Sequence, residues 1–225
     1  LSTRFIWISN MAPSSVLLAA ALASISTVSD GASMWGTPPV KFGNDPSGSW
    51  LSYAVYKDPT DRAITMLNTT WQVPSDPTTP VGSNAPGWWF GIQTAKGDGA
   101  LIQPILAYGY KGFKYSIFNG VFDWTDGSWR TSEEVYTVKP GDNITSSVYL
   151  KSPGVYTMVI ASGSQSISTD YTLERAQTGT ESAAYFVLEH QPETCKAYPK
   201  SGTCTFNNIY MENFVKIEMK MNSLS

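Results

Sequence analysis

Short apolar or alternating stretches recur along the chain, separated by clusters of Gly, Pro, Asp, Ser and Thr. The pattern predicts strands over residues 52–56, 64–73, 88–92, 101–106, 115–124, 135–138, 144–150, 156–161, 166–173, 184–189 and 209–219. Turn chemistry falls between them: Asp58-Pro59-Thr60-Asp61, Pro74-Ser75-Asp76-Pro77, Asp126-Gly127-Ser128 and Lys139-Pro140-Gly141-Asp142. No helical period lasts more than a turn after the first thirty or so residues. Many short strands at regular spacing predict an all-β sandwich or barrel.

Two polar residues interrupt apolar runs. The stretch Trp88-Trp89-Phe90-Gly91-Ile92 leads through a polar turn, 94–99, into a second apolar run, 101–106, broken by the amide of Gln103. Burying an amide without a partner costs roughly 1–3 kcal/mol, so Gln103 is either satisfied in the core or lines a cleft. Glu189 ends the run Ala184-Tyr185-Phe186-Val187-Leu188. It is either a solvated strand end or a carboxyl in an apolar setting, suited to exchanging protons in mildly acidic solution. The tryptophans divide in the same way: Trp88, Trp89, Trp124 and Trp129 could fill a wide core, stack on sugar rings or pack against peptide side chains.

Composition narrows the chemistry. With 42% hydrophobic residues in 225, the chain can build a large core without a metal. A net charge of −3 with no basic stripe argues against nucleic acid. The single histidine, His190, removes a zinc set and leaves one candidate for a serine or cysteine triad. On a strand, His190 would point away from the face that Glu189 occupies. Carboxylates remain, with no metal or other cofactor required.

The first 32 residues are expected to hold upstream sequence and a signal peptide, with its apolar segment from Val16 to Ile25. Residues 33–48 follow as a flexible arm, and 49–225 form the folded domain. Later runs are too short for a membrane anchor. A secreted, extracellular monomer is therefore expected, with a Cys195–Cys204 disulfide closing a short loop. Asn68-Thr69-Thr70 and Asn143-Ile144-Thr145 are glycosylation sequons in a eukaryotic secretory route.

Taken in order, several segments resemble the eqolisins, the glutamic peptidases of family G1. They are Ser49-Trp50, Thr69-Thr70-Trp71-Gln72-Val73-Pro74-Ser75, Trp89-Phe90-Gly91-Ile92, Leu101-Ile102-Gln103, Val138-Lys139-Pro140-Gly141-Asp142-Asn143-Ile144 and Ala184 to Glu189. The resemblance implies a concanavalin A-like, jelly-roll sandwich of two curved antiparallel sheets. It also implies a Gln103/Glu189 catalytic dyad acting on a polypeptide through an activated water. Trp89, Gln93 and Trp129 become the candidate substrate contacts, with Gln93 standing where the family usually has aspartate. The competing reading is an inactive relative that binds carbohydrate or a cell-wall polymer on the same scaffold.

Overall fold

The structure, a computed structural model, describes residues 50–77, 86–173, 180–189 and 204–213. The expected signal segment and arm, His190, Cys195 and the last part of the strand predicted over 209–219 lie outside the described residues.

Twelve strands are present among the described residues: β1 Trp50–Lys57, β2 Ile64–Gln72, β3 Gly87–Gln93, β4 Ala100–Tyr108, β5 Tyr115–Asp123, β6 Ser128–Thr131, β7 Tyr136–Thr137, β8 Asn143–Ser152, β9 Val155–Ser162, β10 Gln165–Thr172, β11 Ala183–Glu189 and β12 Asn207–Asn213. They make two antiparallel sheets. The seven-stranded sheet has the order β1-β11-β3-β4-β5-β6, with β7 also on β5; the five-stranded sheet has the order β10-β9-β8-β2-β12. The expected all-β antiparallel sandwich is therefore the observed fold.

Alternation along the strands decides what faces what. Phe90 of β3 stacks on Phe186 of β11 with ring centroids 6.0 Å apart, and both meet rings from the other layer. Trp71 of β2 lies 5.7 Å from Phe90, and Phe206, just before β12, lies 5.2 Å from Phe186. Phe90, Phe186 and Trp71 are thus the seam between the sheets, and each such ring contributes roughly 1.5–3 kcal/mol by leaving water. Asn119 of β5 crosses the same seam, donating its amide N–H to the Met158 and Ile167 carbonyls. The residues of opposite parity, including Trp89, Gln103 and Glu189, face away from the second sheet.

One buried carboxylate ties the ends of the sandwich. Asp58, at the turn after β1, accepts hydrogen bonds from Thr60, from the Arg62 guanidinium and from the Asn213 amide at the end of β12. The Arg62 guanidinium holds the Asp58 carboxyl well below the usual carboxylate range, against the opposing effect of burial. Cys204 carries a free thiol, and packing around its sulfur pushes that thiol up to about 12; Cys195, its expected disulfide partner, lies outside the described residues.

Candidate active site

Strand register assembles the site. On β11, Val187 pairs with Trp89 and Glu189 pairs with Gly87 of β3, so Glu189 and Trp89 share a face. On the other side of β3, Trp89 pairs with Ile105 of β4, two residues from Gln103 on the same face. Gln103 and Glu189 therefore lie on one face of one sheet, with strand β3 between them. The same register sets Gly91 opposite Gln103, and a Cβ on Gly91 would stand 3.2 Å from the Gln103 Cβ. Gln103 and Glu189 are thus displaced by four residues along β3 and by two strands across it. In a flat sheet this separates their Cα atoms by about 16 Å on a diagonal. Trp89 sits in the middle of that diagonal.

Glu189 is 5% exposed and accepts a hydrogen bond of 2.8 Å from the Trp89 indole N–H. Trp50, the first residue of β1, pairs with Glu189 across the strands. Its ring meets Trp89 edge-on at 5.0 Å and Tyr185 at 5.2 Å. The Trp89 indole is therefore held in place, and its N–H is committed to the carboxylate. Of the two readings the sequence left open for Glu189, a solvated strand end or a carboxyl in an apolar setting, the structure has a buried carboxyl with a fixed donor.

Gln103 is 4% exposed, and its side-chain carbonyl oxygen has no hydrogen-bond partner. An orphaned acceptor of this kind costs roughly 1–3 kcal/mol until a donor arrives. The row across the sheet at Gln103 is unusually thin. Gly91 flanks it on β3, and Gly120 of β5 pairs with it on the other side. Longer side chains stand in the rows above and below, Leu101 and Phe122 on one side and Ile105 and Phe118 on the other. The result is a dip in the sheet surface across the strands, a trough that holds the Gln103 amide on its floor and is covered, since Gly91, Gln103 and Gly120 are all buried.

Trp129 enters this trough from β6. A Cβ on Gly120 would lie 2.5 Å from the Trp129 ring and 2.9 Å from the end of Ile105, so the indole rests directly on the glycine. Other rings cover the same face: Tyr110 stacks on Phe118 at 4.3 Å, and Trp124 meets Phe122 edge-on at 4.4 Å. Gln93 is on this face as well, but it is buried and donates its amide N–H to the Gly99 carbonyl in the β3–β4 turn. Of the candidate substrate contacts, Trp129 borders the trough, Trp89 is joined to Glu189, and Gln93 braces a hairpin. Sequence reading did not single out Gly91, Gly120 or Trp50 as site residues. The two glycines could have been found only with the register known, since glycine within a strand often marks a close backbone approach.

A profile of the Peptidase A4 family matches residues 49–222. Among solved structures, scytalido-glutamic peptidase bound to a transition-state analogue inhibitor is similar at 21% identity with a TM-score of 0.48, over 74% of this chain and 75% of that one. SCP-B, an eqolisin in complex with the tripeptide Ala-Ile-His, is similar at 21% identity with a TM-score of 0.45, over 74% of each chain. A toad ovary galectin in complex with thio-digalactose is similar at 12% identity with a TM-score of 0.42, over 71% of this chain and 98% of that one. No curated protein matches the chain. With the family profile spanning most of its length, the chain belongs to the Peptidase A4 family, the eqolisins, and is a glutamic-type peptidase.

Proposed function

We infer that the protein is a secreted, acid-acting endopeptidase in which Glu189 and Gln103 act together on one water. The observation that carries this reading is the unpartnered carbonyl of Gln103, on the same sheet face as a buried carboxylate. Side chains of Glu and Gln each reach about 5 Å from Cα, so leaning toward each other along the 16 Å diagonal they leave about 6 Å. Trp89 stands on that diagonal, so the shared water would lie beside the indole, hydrogen-bonded to both side chains.

The chemistry follows from the groups. Glu189, as carboxylate, takes a proton from the water while the water oxygen bonds to the scissile carbonyl carbon. The Gln103 carbonyl orients that water, and its amide N–H donates to the oxygen as negative charge develops there. The Glu189 carboxyl then returns its proton to the departing amine nitrogen as the C–N bond breaks. Trp89 keeps the carboxylate aimed through its indole N–H. Gly91 and Gly120 leave the row beside Gln103 free of side chains of their own, and an extended peptide backbone reaches Gln103 there by displacing the Trp129 ring that rests on Gly120.

Hydrolysis of an acid-denatured protein between pH 2 and pH 7 tests this reading. Wild type is expected to cleave internally on the acidic side of that range, and Glu189→Gln to lose activity by orders of magnitude while melting like wild type. Gln103→Ala should lower kcat by roughly a hundredfold, the scale of a lost oxyanion donor. Undiminished cleavage by the folded Glu189→Gln variant would remove Glu189 from the mechanism.

A further inference from the structure

The opposite sheet carries a polar depression that the peptidase reading leaves unused. Leu67 and Trp71 of β2 are buried, so Asn68 and Thr70 between them project from the outer face of the five-stranded sheet. Asn68 lies mid-strand, paired with Ser147 of β8 on one side and Tyr210 of β12 on the other. Around it is a depression of about 370 Å³, lined by Met66, Thr70, Thr145, Ser147, Tyr149 and Asn208 among others, with no charged side chain among the described residues of the lining. The volume falls at the small end of ligand sites. The Asn68 side-chain carbonyl is buried there without a hydrogen-bond partner.

Asn68 is also the acceptor position of Asn68-Thr69-Thr70. We propose that Asn68 carries an N-linked glycan whose first sugar is seated in this depression. The chemistry of the lining suits that occupant and no ion: amides and hydroxyls face a neutral polyol, and Tyr149 offers a ring edge or face to its C–H groups. A hydroxyl or acetamido N–H of the sugar supplies the donor that the Asn68 carbonyl lacks. In the attachment step the Asn68 amide nitrogen bonds to C1 of an oligosaccharide carried on a lipid pyrophosphate. The C1–O bond to that carrier breaks, the lipid pyrophosphate leaves, and the nitrogen gives up one proton.

Asn143 provides an internal control. It heads β8, is exposed, and pairs with Gln72 on the same outer face, four residues from the Asn68–Ser147 pair. A glycan there starts in solvent rather than in the depression. The proposal rests on passage through a secretory route but not on the dyad, so loss of peptidase activity leaves it untouched.

The test is to direct the full chain through a yeast secretory pathway, map both sequons by mass spectrometry, and treat the native protein with a peptide N-glycosidase. Asn68 is expected to be modified, and its glycan to be released about tenfold more slowly than one on an exposed asparagine, the difference vanishing after denaturation. Secreted protein with an unmodified Asn68 overturns the proposal. Equally fast native release from Asn68 and Asn143 overturns the seating of the sugar. Thr70→Ser, which preserves the sequon, should keep the Asn68 glycan, and Thr70→Ala should lose it.

Discussion

A single indole N–H carries much of the candidate site's order. Trp89 donates to Glu189 at 2.8 Å and is itself wedged by Trp50 at 5.0 Å. Hydrogen bonds to charged groups are worth about 1.5–3 kcal/mol, so Trp89→Phe, which keeps the ring and removes the donor, should lower kcat by roughly ten- to hundredfold. KM should change little, since the indole contacts the carboxylate rather than an open surface; steady-state kinetics separates the two. At this scale the sequence was informative where polarity broke an apolar run. Gln103 and Glu189 stood out for that reason, and both are buried on one sheet face. Gln93 entered only through the resemblance, standing where the family usually has aspartate. Its partner, the Gly99 carbonyl, lies across a turn whose closure no local pattern reveals.

Between strands, glycine replaces side-chain chemistry as the deciding feature. Gly91 and Gly120 flank Gln103, and adding a methyl group to each has a different consequence. At Gly91 the new carbon would stand 2.5 Å from the Ile102 carbonyl oxygen, a backbone atom of the neighbouring strand. Gly91→Ala must therefore push β3 and β4 apart beside Gln103, and should lose roughly 1–3 kcal/mol of stability together with activity. At Gly120 the nearest obstacle is the movable Trp129 ring. Gly120→Ala should fold with a smaller penalty but displace the indole, read as an altered KM across peptides of different side-chain size. The strand pattern was largely legible from periodicity, because ten or so strands alternate or run apolar between turn residues. The short β6 was read only as the turn at Asp126-Gly127-Ser128 and the tryptophan after it, since four residues pairing with β5 leave too few alternations to count. Which faces of those strands meet depended on register, and register is a property of pairs of strands that one segment does not encode.

For the molecule as a whole, the acid behaviour of two buried aspartates sets the working range. Asp58 is held well below the usual carboxylate range by Arg62. Burial raises the Asp123 carboxyl, but hydrogen bonds from Thr125 and Tyr171 outweigh it and leave it below its ordinary value. A carboxyl with a depressed folded-state pKa stabilises the fold above its unfolded value, near 3.9, and loses that contribution only as pH falls through the lower folded value. The fold should thus keep both contributions through mildly acidic solution. Asp58→Asn should cost roughly 2 kcal/mol at pH 6. Thermal melts at descending pH should show the gap between wild type and this variant closing only below the ordinary carboxylate range. The same measurement with Asp123→Asn should report on the contact between the sheets, because Tyr171 of β10 reaches Asp123 of β5.

The Asp58 cluster also bears on how long such a protein survives among its own copies. β1 and β12 are each the outermost strand of a sheet, the places from which a sandwich frays. Asp58 joins them, since the turn that ends β1 holds the Asn213 amide at the end of β12. For a peptidase, the nearest substrate is a neighbouring molecule with a loosened end. One carboxylate that stays ionised in acid therefore latches both edge strands, and it would guard the protein against self-digestion under the acid conditions proposed for its catalysis.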